Sequence, residues 1–140
     1  MKSIIDYIYH RILAESQETS RTIQGLDGYT EGEVCQMIHD DIETALDDAG
    51  FEDYEIIEIW IHGSRLRGDA KDDSDLDAVM FYKGSDREDD LFNTLHDSYN
   101  FECEIEGIEV DVNPVRIKSD ADIKKYKEKS EKYDQSKLGK

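Results

Sequence analysis

Three short stretches of this chain read as β-strands, and helical patterns stand around and between them. That interleaving is the strongest constraint on the fold. In "YEIIEIWIHG" Ile57, Ile59 and Ile61 alternate with Glu58 and Trp60, which is strand period and strand composition. "DLDAVMFY" reads as a second strand. "FECEIEGIEVDVNPV" reads as two more strands around the turn Glu106-Gly107. Their apolar sets are Phe101, Cys103 and Ile105, then Ile108, Val110 and Val112.

The helical segments follow a different period. Residues 3–17 place Ile4, Ile5, Ile8, Tyr9 and Ile12 on one side at helical spacing. Thr30 and Glu33 have capping-box spacing and open a second helix. Val34, Met37, Ile38, Ile42, Ala45 and Leu46 give that helix its apolar face, and Gly50 is placed to end it. Residues 64–69 leave room for a turn or two of helix. Ser85 and Glu88 are placed to cap a helix through about Tyr99, and Ser119 to cap a last one over "ADIKKYKEKSEKY". The order predicts a mixed α/β (α+β) sheet of about four strands with helices packed on it.

At 140 residues one domain is expected, long enough to bury a core without disulfides. We divide it into an N-terminal helical extension (1–50), a core (54–117), and a C-terminal helix with a Lys-rich tail (118–140).

Charge narrows the function. The net charge is −18. From Lys118 onward eight Lys face five acids, so residues 1–117 carry −21. Such a body repels phosphate backbones, and non-specific nucleic-acid binding is not expected. Cys35 and Cys103 make neither a disulfide framework nor a zinc site. No apolar run has the length to span a membrane, and "MKSIIDYIYHRI" lacks a signal-peptide core. A cytoplasmic protein with reduced thiols is the expectation.

The chemistry concentrates in "HGSRLRGDAKDDSDLDAVMFY". Asp75 and Asp77 stand two apart at a strand start, so both point to one face and Leu76 to the other. Two carboxylates on one face raise the cost of each other's charge, and a divalent cation removes that conflict. Asp111 in "IEVDVNPV" is the candidate third acid, because Val110 and Val112 take the core side. Three acids on neighbouring strands can hold two metal ions about 3.5–4 Å apart. Gly63 allows a close backbone approach, and the Ser64 hydroxyl and the first amides of the following helix can bind phosphate oxygens. Arg65, Arg67 and Lys83 are cations in reach of a polyphosphate by sequence position. The plain alternative is a solvated strand start, with the arginines paired to surface acids. Of the four histidines only His62 falls near this cluster.

Two look-alikes fail. An EF-hand loop from Asp73 would have Ala78 where Gly belongs and Gly84 where Glu belongs. A phosphate loop from Gly63 to Gly68 has Asp69 in place of its lysine.

The stretch "GSRLRGDAKDDSDLDAVMF" resembles the signature of the DNA polymerase β-like nucleotidyltransferases. The resemblance lies in Gly63, Ser64, Arg67, Gly68, Ala70, Ser74, Asp75 and Asp77, with Asp111 as a later third carboxylate. It is nearest to the minimal, antitoxin-type branch and reaches to about residue 117. It implies a nucleotidyltransferase fold and Asp75, Asp77 and Asp111 as catalytic ligands of two Mg²⁺ ions. Gly63 and Ser64, helped by Arg65 and Arg67, would hold the phosphates of ATP or another nucleoside triphosphate. The implied reaction is transfer of a nucleoside monophosphate to an acceptor hydroxyl with release of pyrophosphate. The branch also implies a HEPN-type toxin as protein partner. A chain of this length has little room for an acceptor domain, so the N-terminal helices, self-association with a second copy or a partner chain are the expected sources of an acceptor site. An inactive nucleotide-binding or toxin-neutralising module is the alternative.

Overall fold

A computed structural model describes residues 21–138 of the chain, with side chains through Lys132. The helix expected over residues 3–17 lies outside the described residues.

The first described helix, α1 (Glu31–Asp48), starts where its capping box predicts. Thr30 Oγ1 accepts from the Glu33 amide, and the Glu33 carboxylate accepts from the Thr30 amide, both at 3.1 Å. Its end is closed by Gly50 at φ +91°. There the Gly50 amide donates to Asp47 O and the Phe51 amide to Leu46 O, which satisfies the last carbonyls with a left-handed residue only glycine adopts freely. Val34, Ile38, Ile42 and Leu46 are fully buried. Each such side chain contributes about 1.5–3 kcal/mol by leaving water.

The remaining elements among the described residues are β1 (Glu55–His62), α2 (Ser64–Arg67), β2 (Leu76–Lys83), α3 (Glu88–Leu95), β3 (Glu104–Ile105), β4 (Ile108–Arg116) and α4 (Asp120–Leu138). The sheet order is β1-β2-β4-β3. β1 runs antiparallel to β2, β2 parallel to β4, and β3 antiparallel to β4. The sheet is therefore mixed and four-stranded, as the element order predicts. Parallel neighbours need a crossover, and α3 lies in it.

Each sheet face has its own core. Ile59, Ile61, Leu76, Ala78, Met80, Tyr82, Val110 and Val112 pack against α1 and against Leu91 and Leu95 of α3. On the other face Trp60, Val79, Phe81 and Ile117 pack with Ile123 of α4, and Tyr126 adds an edge-on ring. β2 is buried on both faces, which explains its unbroken apolar run.

Three local expectations change. Ile57 does not join Ile59 and Ile61, because a bulge between Ile56 and Glu58 shifts the alternation. Ile56 takes the main core and Ile57 the second one. α3 stops at Leu95, short of Tyr99, and no side chain caps its start. Ser85 bonds Asp53 instead. β3 is only two residues long, although Phe101 and Cys103 before it are buried as expected. The turn to β4 has Glu106 at φ +51° and Gly107 at φ +83°, the positive-φ pair of a tight hairpin.

Candidate active site

The register of three strands lines up three polar side chains. His62 of β1 is the Cα partner of Asp77, and Asp77 is the Cα partner of Asp111 of β4. Their apolar sequence neighbours Ile61, Leu76, Ala78, Val110 and Val112 fill the main core. Strand alternation therefore sends His62, Asp77 and Asp111 to the opposite face as one row. α4 covers that face farther along, over Val79 and Phe81. Asp75 stands just before β2 and is exposed.

Asp77 is half-buried, and Gly63 is pressed against it. Gly63 has φ +93°, and a Cβ placed on it would lie 2.6 Å from Asp77 Oδ2. Any side chain at 63 would have to occupy the space of that carboxylate. Burial pushes the Asp77 carboxyl above its ordinary value; Asp111 and Asp75 push the same way, and His62 and Arg67 partly offset them. A group in this position gains from a nearby cation.

Asp111 has a partner that the sequence did not point to. His96 Nε2 lies 2.7 Å from Asp111 Oδ1. The other ring nitrogen, Nδ1, lies 2.8 Å from Phe92 O, and the ring stacks on Phe92 with centroids 3.9 Å apart. A carbonyl and a carboxylate both accept, so holding both bonds at once takes a hydrogen on each ring nitrogen. From sequence His96 is only a histidine at a helix end, a common cap. The residue is fifteen positions from Asp111, and only the crossover brings it back.

The cations do not all converge. Arg65 was expected to face phosphate, and its geometry corrects that. It is only 5% exposed. Its guanidinium donates to Gln24 O at 2.8 Å and to Ser74 O at 2.7 and 3.0 Å. The Gln24 amide donates back to Arg65 O, and the Gln24 side chain bonds both backbone groups of Ala70. Together Arg65 and Gln24 lash down the loop that leads to Asp75. Lys83 was also expected nearby, yet it pairs in register with Glu55 at the far end of β2, about 20 Å from Asp77 at strand rise. Arg67 is close enough to act on Asp77 and also pairs with Asp69 at 3.3 Å.

The phosphate end is one helical turn, within the turn or two expected. α2 has four residues, and the Leu66 and Arg67 amides already donate to Gly63 O. At that end Gly63 is buried and the Ser64 side chain is half-buried. Among the described residues no three His, Cys, Asp or Glu side chains stand close enough to hold a metal ion as they are. The donor set of Asp75, Asp77 and Asp111 is nonetheless all oxygen and anionic, the kind that magnesium takes beside water and phosphate oxygens. A separate broad groove, lined by Arg21, Glu31, Glu58 and Trp60 among others, runs along β1 and α1 and contains none of these aspartates. No helix among the described residues is long and apolar enough to cross a membrane.

A family profile described as "Polymerase beta, Nucleotidyltransferase" matches residues 48–137. The match covers β1 to α4 and so contains every candidate residue. Comparison with curated proteins found no match, and comparison with solved structures found none.

Proposed function

We propose a function from one premise: the chain belongs to the polymerase beta nucleotidyltransferase family. The proposed reaction is transfer of a nucleoside monophosphate, AMP from ATP, to an acceptor hydroxyl. The observation that carries it is the paired row of Asp77 and Asp111 with Gly63 pressed on Asp77.

In this reading Asp75, Asp77 and Asp111 hold Mg²⁺. When bound, the metal would neutralise charge on the phosphate oxygens and on the departing pyrophosphate. The Gly63 and Ser64 amides and the Ser64 hydroxyl bind the β- and γ-phosphates, and Arg67 adds positive charge beside them. The acceptor oxygen forms a bond to the α-phosphorus. The bond from that phosphorus to the oxygen bridging toward the β-phosphate breaks, and pyrophosphate leaves with its electron pair. The acceptor proton passes toward Asp111, the more exposed of the two paired carboxylates. β2 is buried on both faces, so the carboxylate on it is rigidly held, which in-line transfer rewards.

Placement in the minimal, antitoxin-type branch rests on the motif residues alone. A HEPN-type toxin as acceptor or partner, and a cytoplasmic location, belong to the same proposal. The test is pyrophosphate release from ATP with Mg²⁺ across small-molecule, protein and RNA-end acceptors. Release that needs both an acceptor and Asp77 supports the reading. Nucleotide binding without release from any acceptor would instead indicate a binding module.

A further inference from the structure

Asp111 and Asp77 are held in different ways. Asp77 is half-buried and backed by Gly63. Asp111 projects from β4 with 47% of its side chain exposed. An exposed aspartate on a strand has several rotamers open to it, and nothing in the strand itself selects one. A ligand or base must nevertheless be aimed closely to be useful.

We infer that His96 is a positioning residue that fixes the direction of the Asp111 carboxylate, an inference that rests on the metal-dependent transfer proposed above. The restraint is a chain of three contacts. The Phe92 carbonyl, near the end of α3, lies 2.8 Å from His96 Nδ1. The Phe92 ring stacks on the imidazole at 3.9 Å, with 22° between the planes. The imidazole then reaches Asp111 Oδ1 at 2.7 Å. α3 is itself anchored by Leu91 and Leu95 in the main core. The direction of Asp111 is thus set by a packed helix and not by the strand it stands on. A carboxylate has two oxygens and about four lone-pair sites, so one such bond orients the group without exhausting it. Groups that hold ligands in this way commonly change metal affinity about 10- to 100-fold when lost.

A plain helix cap would also place a histidine here. Three variants separate the two roles. His96→Phe keeps an aromatic ring on Phe92 and loses the contact to Asp111. His96→Gln keeps a donor that reaches Asp111 and loses the ring. Asp77→Asn removes a ligand that His96 does not touch. Mn²⁺ binding to the full chain, with a triphosphate analogue that cannot be cleaved, is followed by titration calorimetry and by the Mn²⁺ spin signal. Thermal melting is measured in parallel.

We expect His96→Phe to weaken Mn²⁺ binding about 10-fold or more and His96→Gln to restore most of it. Turnover in His96→Phe should fall with the nucleotide KM little changed. If His96→Phe binds Mn²⁺ as the wild type does, His96 is a cap only and the inference is overturned, whatever happens to melting. If Asp77→Asn also binds Mn²⁺ as the wild type does, the metal reading has failed, and the role of His96 falls with it.

Discussion

Gly63 and Asp77 stand so close that a single added carbon on the glycine would lie 2.6 Å from the carboxylate oxygen Oδ2. The end of β1 and the start of β2 are fitted to each other at this point. Gly63→Ala meets two penalties: φ of +93° is unfavourable for any L side chain, and the new methyl displaces Asp77. We predict a loss of about 1–3 kcal/mol in stability and a loss of transfer larger than that cost explains. Melting and transfer measured on one preparation would show it. Full activity in Gly63→Ala would mean that the position of Asp77 does not matter.

Asp77→Asn should separate stability from activity. Its folded pKa is raised above the ordinary 3.8, chiefly by burial. Stability linked to this group is therefore fullest below 3.8 and is lost as pH rises through the raised value. Above that raised value the ionised side chain opposes folding. The variant should melt at or above the wild-type temperature at neutral pH, and the gap should close on acidification. Transfer should vanish at every pH. A variant that melts well below the wild type at neutral pH would contradict this.

Arg65 should behave as a structural residue. Its loss strips donors from the carbonyls of Gln24 and Ser74 in a buried setting. An unsatisfied buried acceptor costs about 1–3 kcal/mol, so Arg65→Ala should cost on the order of 3 kcal/mol. Arg65→Lys should not restore it, because an ammonium lacks the planar fork. Arg67→Ala should instead change nucleotide KM more than melting. Denaturant unfolding and nucleotide titration on both variants would expose an exchange of these roles.

Much of this was readable in the residues, and the failures have physical causes. The capping box at Thr30, the closing Gly50 and the hairpin at Glu106-Gly107 are short-range signals, and they sit where expected. The faces of Asp77 and Asp111 followed from Leu76 before the one and from Val110 and Val112 around the other. Arg65 misled because sequence position shows that a cation is near a site but not where its long side chain turns. His96 and Gln24 were silent because their partners come from distant segments, fifteen and forty-six residues away. Ile57 failed because one bulge reverses the period, and a bulge leaves no mark in an Ile-Ile pair.

The start of α4 offers a test away from the site. The Asp122 carboxylate accepts from the Lys118 amide at 2.9 Å and the Ser119 amide at 3.3 Å. These bonds, that of Lys118 first, hold its pKa below the ordinary 3.8. The stability it gives is present above 3.8 and is lost as pH falls through the lowered value. Asp122→Ala should melt lower than the wild type at neutral pH, and the two curves should meet in strong acid. Equal melting at neutral pH would show that the cap contributes nothing.

Asp77 is proposed to govern the transfer of AMP, which carries the α-phosphate of ATP, to the acceptor. The most direct measurement follows label from ATP into an acceptor, with Mg²⁺ present and the label at either the α- or the γ-phosphate. Acceptor labelling is expected from α-labelled ATP only, with the γ label recovered as pyrophosphate, and neither with Asp77→Asn. Acceptor labelling from γ-labelled ATP, or transfer that survives Asp77→Asn, would contradict it.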